Sequence, residues 1–276
     1  MFRVVAALCG AILIVSCYAG CSKRQPASGR PSESGAGTGG SSAAPSQDAG
    51  RGLSGSGAYE VAEVANPGVL EVAAVFSGSP VPTQAEVPVN VNAEFCAHKV
   101  MTEEVIVDAE SLGLQNVVVR LEGISRGARE VPESVTVSNK DCAFYPHVTV
   151  AVKGTKFAIR NEDSILHTTH PYVNNRHWFN VPLPSGGSPP PARPIRQTGV
   201  VEINCDVHKW MRGYTVVHTN PYIEITDAKG NAAIDKVPPG DHTYVAWHEQ
   251  LGEQRGTVTI KPGETLQLKL EFKLAQ

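Results

Sequence analysis

The sequence predicts an all-β protein, and three observations carry that prediction. The aliphatic runs are short, rich in β-branched residues and bounded by Gly, Pro, Asn or Asp. No stretch sustains a helical period over about 11 residues or more. The runs also recur at even spacing with Gly-containing turns, the pattern of a sandwich or barrel. In chain order they are Val69–Val75, Val117–Leu121, Val135–Val137, Val148–Val152, Lys156–Ile159, Val200–Ile203 and Tyr214–Val217. The stretch from Leu183 to Gln197, rich in Pro, Gly and Ser, reads as a long loop.

The ends of the chain read differently. A run of apolar residues from Val4 to Val15 follows Arg3. About a dozen such residues make a signal-peptide core and fall short of the ~20 that span a bilayer. Two cleavage boxes of the bacterial lipoprotein kind follow, Ile14-Val15-Ser16 before Cys17 and Tyr18-Ala19-Gly20 before Cys21. The segment 1–21 is thus expected to be a signal that leaves a lipidated Cys21, or Cys17, on a periplasmic or outer-membrane protein. Ordinary cleavage to a secreted product is the alternative. Residues 22–57 are almost wholly Gly, Ser, Ala, Pro and charged residues. They bury too little to offset their ordering entropy and read as a flexible tether.

The folded remainder divides into 58–219 and a smaller unit, 220–276. The second unit carries strand-like runs Tyr222–Thr226, Thr243–Trp247, Thr257–Ile260 and Leu266–Leu270. Its turns are Asp227-Ala228-Lys229-Gly230 and Val237-Pro238-Pro239-Gly240-Asp241. At this size it is expected to pack on the larger body. Net charge is only −3, with no basic patch, which excludes a nucleic-acid partner.

Cysteine counting narrows the chemistry. If the signal removes or lipidates Cys9, Cys17 and Cys21, then Cys96, Cys142 and Cys205 remain. An odd number in an oxidising compartment leaves one thiol without a partner, and a metal ion is one way to protect it. Two segments hold candidate ligands: Asn161-Glu162-Asp163-Ser164-Ile165-Leu166-His167-Thr168-Thr169-His170 and Cys205-Asp206-Val207-His208-Lys209-Trp210-Met211. Each follows a strand, and strand ends in a sandwich gather at one pole. A thiolate is a soft donor, imidazole suits copper in both oxidation states, and a distant thioether adds weak axial donation. Cys205-x-x-His208-x-x-Met211 supplies three such ligands from one loop, and His167 the fourth. Met211 is one of only three methionines in the chain, which singles it out beside this cluster.

Over about Leu114 to Thr219 the chain resembles the cupredoxin family, and within it the amicyanin or plastocyanin-like branch. Asn161-x-Asp163-x-x-x-His167 and Cys205-x-x-His208-x-x-Met211 carry the resemblance. It implies a Greek-key sandwich and one type 1 copper held by His167, Cys205, His208 and Met211. It also implies outer-sphere electron transfer through a solvent-facing His208. His167 is chosen over His170 by its place in the Asn-x-Asp frame. Thr168 departs from the asparagine that many relatives carry there, and Asp206 beside the thiolate is also unusual. The second unit resembles the carboxypeptidase-regulatory or transthyretin-like sandwich. Cys96 and Cys142 are expected to pair, freeing Cys205. The alternative sets them in a second metal site with His98 and His147.

The expected function is an electron carrier with a redox partner such as a c-type cytochrome. The alternative is a copper storage, delivery or sensing lipoprotein. The chain is not expected to be an enzyme, since copper oxidases and nitrite reductases need further coppers and this sequence has no His-x-His pair. Trp210, between the ligands, is expected to pack and to shield the metal. His177, His218, His242 and His248 have no partner spacing and read as structural or surface residues.

Overall fold

Alternating burial organises the described residues, 58–96 and 100–274 of a computed structural model, into an all-β structure of packed sheets. The expected signal and tether, with Cys17 and Cys21, and His98 lie outside them. Among the described residues no helix is long and apolar enough to cross a membrane.

Two sheets make the sandwich that carries the candidate ligands. One runs Arg176–His177, His167–Val173, Gly199–Asn204, Arg212–His218, Val148–Val152, with Val181–Leu183 also paired to His167–Val173. The other runs Arg193–Pro194, Lys156–Asn161, Ser134–Lys140, Ala143–Tyr145. Alternate residues point inward, as strand periodicity demands. Val137, Phe144, Phe157, Ile159, Val201 and Ile203 fill the core between them, together with Cys205 and Met211.

A second pair of sheets encloses Leu70, Val72, Leu121, Tyr222, Ile234 and Phe272. Here the strand ladder departs from the sequence reading. The strands Gly68–Phe76 and Val118–Leu121 were expected with the body of 58–219. Gly68–Phe76 instead lies between Thr265–Phe272, in parallel, and Asn231–Val237. Val118–Leu121 lies between Ile223–Ile225 and Gly240–His248. The strands after Asn220 therefore complete their sheets with strands from far upstream. Ladder bonds form between strands distant in sequence, and the composition of one strand does not name its partner.

The disulfide expected from the cysteine count is present between Cys96 and Cys142, 46 residues apart. It excludes the alternative in which these sulfurs hold a metal. Cys142 sits in a two-residue hairpin loop with Asp141, both at positive φ (51° and 60°), joining Ser134–Lys140 to Ala143–Tyr145.

One buried ion pair sets a pH dependence. His147 Nε2 lies 2.5 Å from Glu249 Oε1, with Glu103 3.5 Å from Nδ1, and both His147 and Glu249 are almost fully buried. Burial opposes charging of His147, but Glu103 and Glu249 outweigh it and raise the imidazole to about 9. A raised value contributes stability that is complete below the unfolded value near 6.5 and is lost as pH rises through about 9. Such a shift corresponds to about 3 kcal/mol. Glu249→Gln leaves Glu103 in place and is therefore expected to cost a part of this at pH 6, with the difference shrinking by pH 10. Urea denaturation of both proteins across this range checks the difference.

Candidate metal centre

Three of the four residues predicted as ligands, His167, Cys205 and His208, come together at one end of the first sandwich. His167 opens the strand His167–Val173, and Cys205 directly follows Gly199–Asn204. The two strands are paired, Asn204 opposite His170. The loop from Cys205 then folds back on itself: Met211 N–H donates to the His208 carbonyl (2.9 Å), and Cys205 N–H to the Met211 carbonyl (3.4 Å). His167 and His208 are 0% exposed and Cys205 1%. Met211 is buried in the same apolar cluster as Cys205.

Hydrogen bonds fix both rings. His167 Nε2 lies 3.0 Å from Asp163 Oδ2. His208 Nε2 lies 2.9 Å from Asn92 Oδ1. Each oxygen is an acceptor and requires the proton on Nε2, which leaves a lone pair on Nδ1 of each neutral ring. Burial first, and then the neighbouring His167 ring, hold His208 down to about 4 against the pull of Asp163, so the His208 ring is neutral.

The two Nδ1 atoms stand 3.0 Å apart. They lie 3.9 Å (His167) and 3.8 Å (His208) from Cys205 Sγ. Two nitrogen lone pairs and a sulfur buried face to face repel, and a shared cation turns that repulsion into bonding. The size fits. A cation ~2.0–2.1 Å from each nitrogen and ~2.3 Å from sulfur would see roughly 95° between the nitrogens and roughly 120–130° from nitrogen to sulfur. That is a near-trigonal set. Among the described residues these three form the one group of His, Cys and carboxylate side chains with three mutually close ligand atoms.

The sulfur is prepared as a thiolate. Burial raises its pKa, but the His167 ring, the Thr168 and His208 amides and the Thr168 hydroxyl bring it down to about 7. Both amides lie 3.4 Å from Sγ. Thr168 Oγ1 also accepts the Asp206 N–H at 2.7 Å. The threonine that departs from the family pattern thereby ties the two ligand segments together.

Asp163 links the centre to the disulfide. Besides facing His167, its carboxylate accepts the N–H groups of Asp141 (2.7 Å) and Cys142 (2.9 Å). It thus orients the ligand and caps the hairpin loop at once.

His208 corrects an expectation. The family resemblance made it the solvent-facing ligand, yet it is covered. Asn92 bonds its outer nitrogen, and Trp210 packs 5.1 Å from its ring while donating its indole N–H to the Cys142 carbonyl (3.1 Å). Asn92 immediately precedes the one-turn helix Ala93–Cys96, whose last residue is the disulfide cysteine. Val87, Val89 and Phe95 pack with Cys96, Cys142 and Trp210 into a small apolar cluster over this pole.

The other histidines fall as follows. His170, the alternative ligand, is not in the centre: its Nδ1 bonds Asp206 (3.0 Å) and its Nε2 lies 2.8 Å from His177 Nδ1. His147 pairs with Glu249, and His218 bonds the Leu121 carbonyl. Sequence reasoning missed Asn92 altogether: Val87, Val89 and Val91 alternate ahead of it, but such a pattern does not say what the segment covers. It missed the contact of His170 with His177 as well, although Asn174-Asn175 between them is a hairpin signal.

No family model matches the chain, and no curated protein matches it. Among solved structures it is similar over part of its length to a purple cupredoxin from Nitrosopumilus maritimus, at 23% identity and TM-score 0.27, covering 31% of this chain and 100% of that one. Amicyanin from Paracoccus versutus matches at 14% identity and TM-score 0.27, covering 36% and 97%. A Cu-containing nitrite reductase from Thermus scotoductus matches at 22% identity and TM-score 0.26, covering 31% of this chain but only 22% of that enzyme. Likeness of this extent leaves the geometry of the centre as the ground for any functional reading.

Proposed function

We propose that this chain is a mononuclear copper protein that carries electrons. The observation that carries the reading is the meeting of two Nδ1 lone pairs and the Cys205 sulfur within 3.0–3.9 Å of one another. One soft thiolate and two imidazoles in a near-trigonal set suit copper, which would supply a one-electron couple when bound. Met211 is proposed as the weak axial donor.

The protein's part is to hold the ligands still. Asp163 and Asn92 fix the rings, the Thr168 and His208 amides bond the sulfur, and burial excludes water. Ligands fixed in this way move little when the charge of their occupant changes. By the same proposal, the chain is exported, anchored through a lipid on Cys21 or Cys17 and tethered by residues 22–57. A c-type cytochrome is the kind of partner it would meet there. The burial of His208 favours a second reading, copper storage or delivery, because a closed site retains its ion.

Copper loading separates these readings. An electron carrier gives an intense thiolate-to-copper band in the visible range and reversible one-electron voltammetry. A storage protein binds copper without reversible voltammetry. A protein that stays colourless with bound cupric ion rules out thiolate ligation.

A further inference from the structure

We propose that His170 and His177 form a second metal site on the surface, a two-imidazole clip for a late first-row divalent cation, cupric ion above all. The clip lies apart from the buried centre and does not rest on the reading of that centre. Its scaffold is the tight hairpin between His167–Val173 and Arg176–His177, turned by Asn174 and Asn175 at positive φ (47° and 63°). In this register His177 stands opposite Tyr172, which makes His170 its diagonal neighbour on the same face. Aromatic side chains reach each other at that separation.

The chemistry follows from who bonds whom. The Asp206 carboxylate lies 3.0 Å from His170 Nδ1, which therefore carries the proton. The His170 Nε2 lone pair is left facing His177 Nδ1 at 2.8 Å. A carboxylate behind a histidine, with the other nitrogen facing outward, is the usual backing of a metal-bound imidazole. Two cis nitrogens held ~2.0–2.1 Å from one cation stand roughly 2.8–3.3 Å apart. The observed spacing lies at the short end of that range.

In the metal-free chain a proton on His177 Nδ1 bridges the pair. The cation replaces it, and the proton leaves to solvent. The rings are also held in place. Tyr172 stacks on His170 (centroids 4.5 Å, 29°) and meets His177 edge-on (6.2 Å, 75°). Asn180 donates to Asp206 Oδ2 at 2.5 Å. His177 is exposed, so water completes the coordination. Imidazole nitrogen with water suits copper, nickel or zinc, and copper binds most tightly of these.

The test is a cupric titration of the full chain followed by electron paramagnetic resonance and optical absorption. The expected result is a weakly coloured signal of ordinary tetragonal copper with imidazole nitrogen coupling, separate from any intense visible band. His177→Ala should remove that signal and leave the intense band unchanged. Asp206→Asn, which withdraws only the backing carboxylate, should weaken the surface ion about 10–100-fold. Absence of the tetragonal signal in the parent protein, or its persistence in His177→Ala, overturns the proposal. Absence of the intense band alone bears on the buried centre and not on the clip.

Discussion

Cys205→Ser is expected to abolish the visible band of the copper-loaded protein and to weaken binding by several orders of magnitude. Serine keeps the size of the side chain but substitutes a hard hydroxyl for the soft, already acidified sulfur. The Thr168 and His208 amides that now support a thiolate would face an oxygen that stays protonated at neutral pH. The change also tests whether the two rings suffice. His167 and His208 retain Nδ1 atoms 3.0 Å apart, so the variant should still take up zinc or cupric ion weakly and without colour. A coloured Cys205→Ser protein would place the absorbing site elsewhere.

Removal of the disulfide has the second-largest expected effect. Closing a loop across 46 residues is worth about 4 kcal/mol in the chain-entropy account. The double variant Cys96→Ala/Cys142→Ala should lose stability of that order in urea denaturation. It should also loosen the cover over His208, because Cys96 ends the helix that Asn92 immediately precedes. Transfer of copper to an external chelator should accelerate at least ~10-fold, the low end of what loss of an outer-shell partner costs. A variant that is less stable but releases copper at the parent rate would show that the cover does not depend on the disulfide.

Much of the first sandwich and of its centre is readable from the chain. Gly199–Asn204 and Val148–Val152 carry β-branched runs that admit little besides strands, and Cys205-x-x-His208-x-x-Met211 concentrates rare ligand types in one loop. Cys96 and Cys142 follow from counting once Cys205 is set aside. What was not readable is relational. His167–Val173 holds strand formers in Thr168, Thr169, Tyr172 and Val173, but Pro171 in its middle argues against a strand, and neighbours on both sides hold it. Asn92 meets His208 from 116 positions away, and the Val87-x-Val89-x-Val91 alternation before it does not name that partner. The pairing of Gly68–Phe76 with Thr265–Phe272 joins the ends of the folded chain, and neither strand names the other. Propensity reports what a segment becomes, whereas these contacts report what it lies against.

X-ray absorption at the copper edge of the loaded protein tests the centre most directly, because it reads the ligand atoms themselves. One short copper–sulfur contact with two imidazole nitrogens is the expected shell, and His167→Ala should remove one of the nitrogens. A shell of nitrogen and oxygen without sulfur would contradict the convergence of Cys205, His167 and His208 on a single ion.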